Sequence, residues 1–226
     1  MQELDNLFYV WAQKHISEGH SRFIRDGIVD EEWWTKDQVL PKICYFLKEG
    51  RTEEASYNLA CDLKERCPWK LWKKVAIWTQ AIHNAFTSEQ AYNEESIREN
   101  EHALVKQIAV VNTKKSDGLR NSDDNDLMKY AKEDKKELKQ ELEIINPDII
   151  VCGHTFDMLK QVLGDELDVE NTCETLYGFW KDKLIINYYH PACRYPSRLN
   201  YYALMSICKV AEKDWKDRKE RYWENK

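Results

Sequence analysis

The chain has 226 residues, 42% hydrophobic and 33% charged, a balance that builds one well-buried core under a highly charged surface and argues against a disordered chain. A net charge of −6 argues against a protein that coats nucleic acid non-specifically, since such binding draws on a broad basic surface, but leaves room for an enzyme with a local basic rim. Seven cysteines, an odd number at irregular spacings, argue against a closed disulfide framework and predict reduced thiols.

In chain order, the acids near Met1 and the lack of a basic region leading into an apolar run predict no signal peptide. No stretch approaches the roughly 20 apolar residues of a membrane span, so a cytoplasmic location without membrane contact is expected. Leu4, Leu7, Phe8, Trp11, His15, Phe23 and Ile24 fall on one helical face and predict an N-terminal helix over 4–24, part of a helical extension covering 1–40. After a turn at Asp26-Gly27 and the Trp-rich stretch 28–34, the run Ile43 to Leu47 reads as a buried strand ending in the turn Lys48-Glu49-Gly50. A helical region over 52–86 follows, broken at Cys67-Pro68 because a proline restricts the residue before it and starts a new helix. Trp69, Trp72 and Trp78 lie in its second half. The polar stretch 88–103 leads to a second apolar run, Ile108 to Val111, which closes on Asn112-Thr113-Lys114-Lys115.

Leu127, Tyr130, Ala131, Leu138, Leu142 and Ile145 predict one amphipathic helix over 126–145. Asn146-Pro147 breaks it, 148–153 reads as a third buried strand, and 154–163 as a short helix. A fourth strand over 183–189 arrives at His190-Pro191, and a final helix runs from Arg198 to about Trp215 with a charged tail. Short apolar strands separated by helices imply crossovers of the strand–helix–strand kind. The expectation is therefore a single α/β domain over 1–226, three layers deep, with a short, mostly parallel four-stranded sheet flanked by helices.

Ligands of open α/β sheets bind beyond the carboxyl ends of the strands. Those ends here gather a carboxylate (Glu49), an amide (Asn112), basic side chains (Lys114, Lys115) and an imidazole (His190), a set suited to acid/base and recognition work. Neither GxGxxG nor GxxxxGK[ST] is present, and there is no GxSxG elbow. Cys61 with Cys67, and His190 with Cys193, lack the paired spacing of a zinc site, so no metal is expected.

The four strand ends, taken in order, are Tyr45-Phe46-Leu47-Lys48-Glu49-Gly50, Val110-Val111-Asn112-Thr113-Lys114-Lys115, Ile145 to Gly153, and Tyr189-His190-Pro191-Ala192. This order resembles the uracil-DNA glycosylase superfamily over roughly residues 41–210. The first turn lacks the proline common in relatives, Ala192 stands where they carry Ser, and the four cysteine ligands of the iron–sulfur subfamilies are not recognisable. The resemblance therefore implies base excision without a cofactor, acting on DNA that carries a deaminated or modified base. It implies that Glu49 stabilises the cationic sugar or orients water, that His190 donates to the oxygen gaining charge on the base, and that Asn112 reads the base edge. A stacking aromatic is also implied, with Trp69 or Trp72 as candidates. Lys114, Lys115 and Arg120, and in the segment after His190 the residues Arg194, Ser197 and Arg198, are candidate nucleic-acid contacts. Each candidate has a plain structural reading: Glu49 as a turn residue paired with Lys48, Asn112 as a turn former, His190 as a hydrogen-bonded core histidine, Ser197 as a helix cap. A nucleobase-binding module of the same fold that performs no chemistry is the alternative function.

Overall fold

The computed structural model describes residues 2–37, 39–66, 69–169 and 175–224. From the amino end, α1 (Gln2–Ser17) leads to two short strands, β1 (Phe23–Arg25) and β2 (Gly27–Ile28), and to α2 (Glu31–Thr35). Next come β3 (Ile43–Glu49), β4 (Ser56–Asn58), α3 (Leu59–Glu65), α4 (Lys70–Phe86), α5 (Glu94–Glu99), α6 (Glu101–Lys106) and β5 (Ile108–Lys114). The second half runs α7 (Asp124–Glu133), α8 (Lys135–Ile145), β6 (Ile149–Gly153), α9 (Phe156–Leu163), β7 (Leu167–Asp168), β8 (Tyr177–Trp180), β9 (Lys183–Tyr188) and α10 (Ser197–Glu224).

The main sheet has the order β2-β5-β3-β6-β9-β8-β7. Its four central strands, β5, β3, β6 and β9, are parallel and correspond to the four apolar runs of the sequence. The sheet nevertheless has seven strands, not four, because β2, β8 and β7 add antiparallel edges. Those edge strands are two to four residues long, too short to carry an alternating signal. A separate pair, β1 with β4, lies parallel beside the main sheet.

Side chains alternate between two cores. Ile43, Tyr45 and Leu47 of β3, Ile108 and Val110 of β5, and Leu184, Ile186 and Tyr188 of β9 join one face with residues of α3, α4, α6 and α10. Cys44, Phe46, Ala109, Val111 and Ile185 join the other face with residues of α1, α7, α8 and α9. The sheet is thus covered on both sides, as parallel strands require. Among the described residues, no helix is long and apolar enough to cross a membrane.

Three local expectations are corrected. Phe23 and Ile24 lie on β1 and not on the first helix, which ends at Ser17; Gly19 then turns the chain with φ +92°, a conformation open to glycine. The region 126–145 is two helices, because Asp134 leaves helical geometry and gives its carboxylate to His15 Nε2 at 3.0 Å and Lys14 Nζ at 2.8 Å. The charged tail after residue 213 continues α10 to Glu224. The break read at Cys67-Pro68 lies outside the described residues; helix is present on either side, ending at Glu65 and resuming at Lys70.

Candidate active site

The period of two residues that fills the first core also aims the polar ends of the strands. Glu49 follows Leu47 and Tyr45 on β3, Asn112 follows Val110 and Ile108 on β5, and His190 follows Tyr188 and Ile186 of β9, each at a spacing of two. The parallel register sets Leu47 beside Asn112 and Glu49 beside Lys114. Glu49, Asn112 and His190 consequently line one cavity of about 650 Å³ at the carboxyl edge of the sheet. Trp69 and Trp72, from the start of α4, line it too, with Ile24, Tyr57, Leu119 and Arg120 at other walls.

Glu49 is not paired with Lys48, whose ammonium instead lies 2.6 Å from Asp124. The Glu49 side chain is 3% exposed, with Lys114 Nζ 3.7 Å from Oε2. Oε2 also accepts from the main-chain N–H of Leu119 at 3.1 Å. Its other oxygen, Oε1, is buried and has no hydrogen-bond partner among the described residues. A carboxylate oxygen in that position carries an unmet capacity to accept, on a residue that lines the cavity.

His190 is half-buried at the turn that follows β9. Its Nδ1 accepts from the main-chain N–H of Ala192 at 3.2 Å, and its own carbonyl accepts from Cys193 N–H at 2.8 Å. Burial pulls its pKa down to about 4, with the charges of Lys48 and His154 acting in the same direction. The ring is therefore neutral near pH 7 and holds its proton on Nε2, which has no partner among the described residues.

Asn112 is 2% exposed and fixed by one acceptor: Asp26 Oδ2 receives its main-chain N–H at 2.8 Å and its Nδ2 at 3.0 Å. Trp69 is 47% exposed at the cavity mouth, whereas Trp72 is 4% exposed and belongs chiefly to the core. Of the two, Trp69 is the one that offers an exposed ring at the cavity.

Two candidate nucleic-acid contacts are corrected. Lys115 has no exposed side-chain surface and forms ion pairs with Asp26 and Glu141, under the rings of Phe8 and Trp11. Lys114 is 5% exposed, paired with Asp126 and Glu49, and lies over the Tyr130 ring. Neither can reach a phosphate in this arrangement. Sequence gave no sign of it, because their acidic partners are distant in the chain. Arg194 and Arg198 are exposed on the segment after His190, where Arg198 lies 5.7 Å from the centre of the Tyr92 ring. Ser197 opens α10.

The sequence pattern marks Asp26 only as a turn residue, yet it is the anchor of Asn112; an acid before a glycine gives no hint of an amide 86 residues away. Among the described residues no three His, Cys, Asp or Glu side chains gather at a spacing that would hold a metal ion. No protein family, curated protein or solved structure matches the chain.

Proposed function

We propose that the chain is a DNA glycosylase-like enzyme that hydrolyses the N-glycosidic bond of a deaminated or otherwise modified base. The observation that supports this reading most is the pair facing one cavity: a buried carboxylate with an unpartnered oxygen, Glu49, and a neutral imidazole with an unpartnered Nε2–H, His190. Cleaving a base from its sugar develops positive charge on the sugar and negative charge on the base, so a catalyst needs an anion on one side and a donor on the other. Glu49 supplies the anion, stabilising the sugar or orienting the attacking water. His190 donates from Nε2 to the base oxygen that gains charge. Asn112 reads the base edge and Trp69 stacks on its face. A base in a duplex must leave the stack to enter such a cavity. In this reading Arg194 and Arg198 hold phosphates, while Tyr195 and Leu199, 46% and 56% exposed, fill the gap the base leaves.

The test is a panel of oligonucleotides, single- and double-stranded, carrying uracil, hypoxanthine, xanthine or oxidised pyrimidines, assayed for abasic sites. At least one should be cleaved. Glu49→Gln should then lower turnover by about 10²–10⁴-fold with little change in affinity, since the change of one atom keeps the shape and removes the charge. Binding without cleavage across the panel would assign the alternative, a base-recognition module of the same fold. The absence of both would remove the reading altogether.

A further inference from the structure

Asp26 is a single residue between β1 and β2, 4% exposed, on which three donors converge. Oδ2 takes both the main-chain N–H and Nδ2 of Asn112, and Oδ1 takes Lys115 Nζ. The Lys115 ammonium also lies 2.8 Å from Glu141 Oε2, so one cation sits between two carboxylates in the core. Buried ion clusters of this kind are often replaceable by apolar residues without loss of stability. Their cost points to another use.

That use lies in what an amide can and cannot tell apart. The side chain of Asn presents a donor and an acceptor of nearly equal size and can turn over, exchanging the two at little steric cost. A free amide would offer them to a ligand in either order and read nothing. Facing a carboxylate, it cannot turn: Oδ1 would then meet Asp26 Oδ2, two acceptors with no proton between them in a site closed to water. Lys115 in turn ties down the other carboxylate oxygen, so Asp26 itself cannot swing away. With Nδ2 turned to Asp26, Oδ1 is left to accept from a ligand N–H.

We infer that Asp26, locked by Lys115, is a positioning residue that fixes the amide of Asn112 and thereby lets the site distinguish a lactam edge, N–H beside C=O, from an amidine edge, ring nitrogen beside an amine. The inference rests on the base-reading role proposed for Asn112.

The experiment compares Asp26→Asn with the unmodified protein on oligonucleotides bearing uracil or hypoxanthine against the same strands bearing cytosine or adenine. An asparagine at position 26 can donate as well as accept, so it tolerates the turned-over amide. The preference for lactam bases should narrow by about ten- to a hundredfold, and Asp26→Asn should add nothing in an Asn112→Ala background. An unchanged preference in a folded Asp26→Asn protein would overturn the inference while leaving the proposed function standing. If the unmodified protein acts on and binds no base, the proposed function fails, and the side-chain amide NMR signals of Asn112 judge the positioning role alone. One exchange-protected, downfield Nδ2 proton supports it, and two freely exchanging protons overturn it. The same spectrum of the unmodified protein decides the matter should Asp26→Asn not fold.

Discussion

The tautomer of His190 is set by the main chain two residues further on, since the Ala192 N–H can only donate and Nδ1 must accept. The side chain at position 192 takes no part in that bond, so the alanine there leaves the ring's orientation intact. Burial, aided by Lys48 and His154, brings the ring down to about 4, and the working form in the proposed reaction is the neutral donor. A pH–rate profile should therefore show no inflection near 6.5, the ordinary histidine value, and no histidine-dependent acid limb until the pH approaches about 4. His190→Ala should lower turnover by about 10²–10³-fold with little loss of affinity, because its bond strengthens only as the base departs. His190→Gln, which keeps an N–H near that position, should recover part of it. An acid limb near 6.5 that vanishes in His190→Gln would mean that the ring takes up its proton at the ordinary value, contrary to its surroundings, whereas a rate that falls as pH rises through 6.5 would mean that the ring works charged.

Between β5 and α7 the chain folds back over the first turn and completes the setting of Glu49. A Cβ at Gly118 would stand 1.9 Å from the carbonyl oxygen of Gly50 and 3.6 Å from Glu49 Oε2, so this crossing exists only with glycine. Gly118→Ala should force the two segments apart at a cost of about 1–3 kcal/mol and draw the Leu119 N–H away from Glu49. Urea unfolding would report the first effect and cleavage the second, with at least a tenfold fall expected; full activity in the variant would show that the loop does not hold the carboxylate. The central parallel strands were legible because each is an apolar run long enough to stand out, and the face on which Glu49, Asn112 and His190 lie follows from counting in twos. The loop was not legible, since residues 116–122 carry no period and their contact with Gly50 is a long-range one. The reversal of Lys114 and Lys115 from rim to interior has the same origin. A lysine after a strand looks solvated until Asp26 and Glu141, or Asp126 and Glu49, are known to lie beside it.

Across the whole molecule, burial holds two histidines neutral in different places, and their titration links acid stability to the fold. His83 on α4 is 2% exposed, stacks near Trp33, and has its Nε2 at 3.2 Å from the carbonyl oxygen of Pro41, to which it donates. Burial lowers its pKa to about 4, against the opposing pull of that hydrogen bond. A histidine that takes up a proton near 6.5 when unfolded but only near 4 when folded favours the unfolded chain between those values, so stability is lost as pH falls through this window and is whole above it. Asp134 shifts the other way: the His15 and Lys14 bonds outweigh burial and hold its carboxyl below the usual range. Its contribution is lost only at lower pH, below the ordinary carboxylate value. The two effects thus separate along the pH axis. His83→Gln keeps a donor for Pro41 and removes the titration. Measured by urea unfolding at pH 7 and again near pH 4, the unmodified protein should lose up to about 3 kcal/mol more than the variant. His190, being only half-buried, adds a smaller loss common to both proteins and cancels in the comparison. Equal losses in the two proteins would show that His83 takes up its proton in the folded state as readily as in the unfolded one, and the core around α4 and Pro41 would then have to admit a charge.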